Sequence, residues 1–165
     1  MDAWGAALWG DPCRECGFSW AMDAGDARAV VAGMPSTMSA VLTGARGDEQ
    51  HPDLAWDVTA YVLHVGDNLR IWAERLAGIA LGGPTAIAPY DENALAAARN
   101  YDGIGLRAAL WSLRRGAGDW ETAFAMTAPE LRLDHPERGD DAVATGDIER
   151  DGQTGPSPLA DRGAS

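Results

Sequence analysis

At 165 residues the chain has room for one domain with a genuine core and too little for two ordinary ones. Its 25 acidic residues against 13 basic ones give a formal net charge of -12, a surface that repels phosphate backbones and excludes nucleic acid as the expected partner. All 13 basic residues are arginine, so lysine-nucleophile and Schiff-base catalysis are excluded as well.

No apolar run approaches the roughly 20 residues of a membrane-spanning helix. The start MDAWGAALWG also lacks a positive segment followed by a long apolar one. A cytoplasmic protein without a membrane partner is the expectation. The stretch DPCRECGFSW holds both cysteines, Cys13 and Cys16. In a reducing compartment that spacing suits metal ligands, buried thiols or a transient redox pair better than a permanent disulfide. A thioredoxin-like role has less to recommend it, because no βαβ pattern surrounds the pair. Trp4, Trp9 and Trp20 flank the cysteines. They serve either to staple the terminus onto helices or to line an apolar ligand pocket.

From Asp26 to Thr43, Val30, Met34, Met38 and Val41 or Leu42 recur at helical spacing. Pro35 interrupts the pattern, so one short helix ending near Gly33 and a second starting near Pro35 are expected. Between Leu54 and Ile79 the steps of four and three through Val58, Val62, Val65, Leu69, Trp72, Leu76 and Ile79 predict an amphipathic helix with a bundle-type seam. LGGPTAIAP ends it. Asp91 then caps a further helix, with Leu95, Ala98, Tyr101, Leu106, Leu110 and Leu113 on its apolar side and glycines 103, 105, 116 and 118 weakening its continuity. DWETAFAM either extends that helix or begins another. From Glu137 onward large apolar groups are scarce, so residues 1–136 are expected to form the domain and 137–165 a disordered acidic tail. The class predicted is all-α.

The candidate chemistry is sparse. Cys13 and Cys16 form half of a tetrahedral zinc site, and His51, His64 and His135 are the further strong ligands available. His64 shares a helix face with Tyr61, Asp67 and Asn68, and Asp67 or Asp57 is placed to orient its imidazole. The alternative is a histidine flanking the bundle edge, since it points about 120° from the seam. Hydrolase, zincin, P-loop and dinucleotide motifs are absent from the sequence.

The order of CRECGF, a proline-marked helix, W-x7-H-V-x-D within WDVTAYVLHVGDNLRIWAERL, and PYDENALAAARNYDG resembles the DinB-like superfamily over roughly Asp11 to Leu133. The likeness is to its branch with an N-terminal C-x-x-C-G-F, alongside the mycothiol-dependent maleylpyruvate isomerase type. It implies an up-and-down four-helix bundle that often holds a divalent metal through three histidines. One of these comes from the second helix, here His64, and an H-x3-H pair comes from the fourth. The activities it implies are thiol-dependent transfer, isomerisation and hydrolysis of small organic substrates. This chain departs from the pattern after LRLDHPERGD, where DAVATGDIERDGQTGPSPLADRGAS contains no histidine. The fourth helix is therefore expected to be shortened or missing.

Two readings follow. In the first the chain is an enzyme, with Cys13, Cys16 and His64 sharing one zinc, or with His64 and Tyr61 as a metal-free acid and base and Asp67 beside them. In the second it is a non-catalytic binding or scaffold protein that self-associates. Loss of one helix exposes an apolar stripe, to be covered by the N-terminal segment or by a second copy in a homodimer.

Overall fold

The computed structural model describes residues 6–127, 131, 133–135 and 139–142. These belong to two compact units, one containing residues up to Ala21 and the other running from Met22. In the first, a single turn of helix, α1 (Ala6–Trp9), leads into the cysteine turn. The second contains α2 (Ala24–Val41), α3 (Val58–Ala80), α4 (Glu92–Ala98), a 3-10 turn at Tyr101–Gly103 and α5 (Leu106–Phe124). A short antiparallel ribbon follows, β1 (Leu133–His135) with β2 (Gly139–Ala142). The helical class is as expected, while the ribbon is an addition that no alternation in the sequence announced. Of the expected tail, only Gly139–Ala142 is described, and the rest of residues 137–165 lies outside the described residues.

α3 and α5 form the principal pair, and α2 packs on α5. The two central helices come together through small residues. A methyl group on Gly116 would stand 2.6 Å from the carbonyl oxygen of Gly66, and one on Gly66 would stand 3.1 Å from the backbone of Leu113. Of the glycines that made this helix look discontinuous, Gly116 is the one that lets α5 lie against α3. Around this crossing Leu63, Leu69, Leu76, Ala109, Leu113, Ala117 and Trp120 are buried.

The buried face of α3 is rotated from the predicted seam. Val62, Leu69 and Leu76 are buried as expected, but Val58, Val65, Trp72 and Ile79 are half-exposed. Their places are taken by Leu63, a large apolar residue outside the predicted seam, and by Thr59, Gly66, Asp67 and Ala73, small or polar residues that a count of large apolar groups passes over.

Two predicted boundaries are corrected. α2 runs unbroken through Pro35 instead of splitting there. Proline removes one backbone donor, and the hydroxyls of Ser36 and Ser39 donate to the carbonyls of Gly33 (2.7 Å) and Pro35 (2.7 Å), occupying acceptors around it. Conversely, the helix capped by Asp91 stops after about two turns. Its carboxylate accepts from the N–H groups of Asn93 and Ala94, as a cap should, but Asn100 takes a left-handed conformation and α5 begins afresh after Gly105.

Candidate functional site

Trp56, in the loop before α3, is the hub of an aromatic wall. Its ring centroid lies 5.4 Å from Tyr61, 5.2 Å from His64 and 6.3 Å from Tyr101. Asp57 caps α3, accepting from the N–H of Ala60 at 2.7 Å, which fixes Trp56 just outside the first turn. Tyr61 and His64 follow one turn apart, so both meet the same indole. Tyr61 and His64 are half-buried. Nδ1 of His64 is itself enclosed and has no hydrogen-bond partner among the described residues.

Asp67, the third residue expected beside His64, faces other partners. It is 1% exposed, accepts from the Tyr101 hydroxyl at 2.7 Å through Oδ2, and lies 2.7 Å from Nη1 of Arg99 through Oδ1. Arg70 Nη2 stands 3.6 Å from the same Oδ1. That oxygen has no aligned hydrogen bond, so its contact with the arginines is electrostatic in character. Burial, followed by the hydrogen bond to this carboxylate, pushes the Tyr101 phenol well above its ordinary range. The group ties the end of α4 and the 3-10 turn to α3. Asp57 is occupied as a cap, so neither aspartate proposed to orient His64 hydrogen-bonds its Nδ1.

On the opposite end of α3, Arg75 donates to the carbonyl of Ala88 and lies over the rings of Trp72 (5.2 Å) and Tyr90 (5.9 Å). Asn68 donates to the Tyr90 hydroxyl at 3.1 Å. These contacts hold the segment between α3 and α4 against the helix, with Ile87 buried beneath it.

Cys13 and Cys16 are free thiols, the first buried and the second exposed. They occupy a closed turn. Cys13 N–H donates to Phe18 O at 2.7 Å, Gly17 N–H donates to Cys13 O at 2.8 Å, and Gly17 has φ of 74°, a conformation that costs glycine nothing. The backbone N–H groups of Cys16 and then Glu15 bond to the Cys13 sulfur and hold its thiol below the usual range. Trp20 donates from Nε1 to Gly10 O at 3.1 Å and packs edge-on to Phe18, closing the turn from outside. Trp4 lies outside the described residues.

The three-histidine metal set that the resemblance implies does not fit this donor set. His51 sits in an exposed loop, its Nδ1 accepting from the N–H of Asp53 at 3.2 Å, and His135 lies on β1. The expected zinc set draws Cys13 and Cys16 from one unit and His64 from the other. Among the described residues no three of histidine, cysteine, aspartate and glutamate gather into a metal-binding group.

An apolar groove of about 450 Å³ runs along α2, lined by Ala29, Val30, Gly33, Met34, Thr37 and Met38. No residue of α2 is fully buried. No helix among the described residues is long and apolar enough to cross a membrane. Comparison with protein-family models, curated proteins and solved structures finds no match.

Trp56 and Arg99 were the residues that sequence reasoning passed over. Trp56 stands at the head of the W-x7-H spacing but had no role assigned to it. Arg99 had no signal, because its partner lies on another helix.

Proposed function

We propose that the chain is a DinB-like helical protein that acts on a small organic molecule at the wall formed by Trp56, Tyr61 and His64. The observation that carries this is the enclosed Nδ1 of a half-buried His64, without a hydrogen-bond partner among the described residues and packed on Trp56 one turn from a tyrosine. A buried polar atom without a partner costs stability, and such costs persist where a ligand or reaction uses the group. The reaction class is hydrolysis of an ester, in which water bonds the acyl carbon and the alcohol or phenol departs, or substitution by a thiol at an electrophilic carbon, in which the C–S bond forms as the leaving group departs as an anion. The imidazole accepts the proton of the attacking water or thiol, and the Tyr61 hydroxyl donates a hydrogen bond to the oxygen on which negative charge develops. Trp56 supplies an apolar face for the substrate. Asp67 acts at a distance, by fixing Tyr101 against Trp56.

The test uses p-nitrophenyl acetate, and a chlorodinitrobenzene with a small thiol, as probes. Because free cysteines also react with them, the Cys13→Ser/Cys16→Ser protein is the background. General acid–base catalysis is worth about 100-fold or more, so His64→Gln is expected to lower turnover by at least that factor with an unchanged circular dichroism melt. Retention of more than half the rate in His64→Gln, or no turnover by the parent, overturns the reading.

The groove on α2 favours a second reading, a non-catalytic protein that self-associates. Although Met34 and Met38 pack against the core, Val30 beside them on this groove stays exposed, and a second copy is the simplest cover for it. Loss of self-association on Val30→Glu, with the probes untouched by the parent protein, would select this reading over the first.

A further inference from the structure

Arginine is unevenly placed along this chain. Of its 13 arginines, Arg107, Arg114 and Arg115 lie in α5, where residues 106–118 carry no aspartate or glutamate although the chain as a whole has a charge of -12. Trp111 stands one turn after Arg107 and one turn before the other two, so the four side chains share a face of the helix. It is 66% exposed, the most of any tryptophan among the described residues, and the three arginines beside it are exposed as well. Arg107 and Arg114 make no ion pair or side-chain hydrogen bond among the described residues, and Arg115 reaches only Asp119, at 3.5 Å.

A groove of about 400 Å³ between α2 and α5 continues this face. Ala32, Pro35, Ala117 and Gly118 give it apolar walls, Arg114 lines it too, and Gly118, two turns after Trp111, has open space beside it. Glu121, also on the groove, is already neutralised by Arg28, whose Nε donates to it at 2.6 Å. We propose that Arg107, Trp111, Arg114 and Arg115 dock an acidic segment of another protein. Carboxylates of that segment pair with the guanidinium groups, and an apolar side chain between them enters the groove beside Gly118.

Charge complementarity selects this occupant. A guanidinium group without a carboxylate of its own chain attracts one from outside, and holds it through two parallel N–H donors. The remaining surface of a chain of charge -12 repels an acidic partner, so the patch fixes where it lands. Tryptophan and arginine are also the side chains on which interfaces most often concentrate binding energy. From Arg107 to Gly118 the helix rises about 16 Å, the length of about five extended residues, which sets the size of the segment. A phosphate backbone has no apolar side chain for the groove, and an anionic membrane is broad enough to oppose the acidic surface around the patch.

This inference goes beyond the proposed activity and does not involve His64. The full chain is titrated into a fluorescein-labelled peptide of alternating glutamate and leucine, and anisotropy is read at low and at raised salt. Saturable binding that weakens as salt rises is expected. Trp111→Ala and Arg114→Ala should each weaken it about fivefold or more, with helical content unchanged because both side chains are exposed. Leu81→Glu, at an exposed position beyond the end of α3, alters net charge as much as Arg114→Ala and should leave binding within about twofold. Equal effects of Leu81→Glu and Arg114→Ala would overturn the proposal. So would no saturation by about 1 mM protein, or tighter binding to phosphatidylglycerol vesicles or to a thymidine oligonucleotide than to the acidic peptide.

Discussion

Replacing Tyr101 with phenylalanine removes one oxygen and leaves the ring in place against Trp56. That oxygen donates to Asp67 at 2.7 Å, and Asp67 is 1% exposed. Without it the carboxylate keeps Arg99 at 2.7 Å on its other oxygen, with Arg70 more distant at 3.6 Å, and Oδ2 loses the hydroxyl. A hydrogen bond to a charged group contributes about 1.5–3 kcal/mol, and leaving a buried acceptor unsatisfied places the cost toward the upper end of that range. For a chain of this size that corresponds to a fall of about 5–9 °C in Tm. Urea unfolding followed by far-ultraviolet circular dichroism measures it. The same substitution made in Asp67→Asn should cost at least about 1 kcal/mol less, because the two residues act as a pair. A loss below about 0.5 kcal/mol, or equal losses in both backgrounds, would refute the assignment of this hydrogen bond as a tie between α3 and the turn before α5.

The same tyrosine gives a pH dependence. Its phenol is raised above its ordinary value by burial and by the carboxylate, so at high pH the folded chain binds more protons than the unfolded one. Stability is complete below roughly pH 10 and declines above it; Tyr101→Phe should decline less over the same range, as read by urea midpoints from pH 9 to 11. Two glycines of α5 should respond in opposite directions. Gly116→Ala places a methyl group 2.6 Å from the Gly66 carbonyl, and the expected overpacking of about 1–3 kcal/mol outweighs the helix-propensity gain of about 1 kcal/mol. Gly118 has open space beside it, so Gly118→Ala should raise the thermal midpoint.

How far these features were legible in the sequence depends on the range of the interaction behind each one. α3 was plain from its own periodicity, and Asp91 was plain as a cap because its partners are two and three residues away. Pro35 misled because its local rule is real, yet packing against α5 and the neighbouring serines keeps α2 continuous. The break at Asn100 was hidden by apolar spacing that runs through it. The buried face of α3 was misplaced because Gly66, Ala73 and Asp67 are selected by what they meet on α5 and around the 3-10 turn. The role of Asp67 illustrates the limit: its phenolic partner is 34 positions away, and nothing local marks the carboxylate as enclosed. His64 and Tyr61 could be put on one helix face from spacing alone, whereas the indole that joins them comes from the preceding loop.

The proposed activity rests on small molecules meeting the Trp56 wall rather than the groove of α2. Titration of labelled protein with p-nitrophenol, the product of the ester probe, followed by aromatic and methyl NMR signals, compares the two directly. Saturable movement of the Trp56, Tyr61 and His64 ring signals together is the expected result. Movement confined to the methyl groups of Val30, Met34 and Met38 would contradict it.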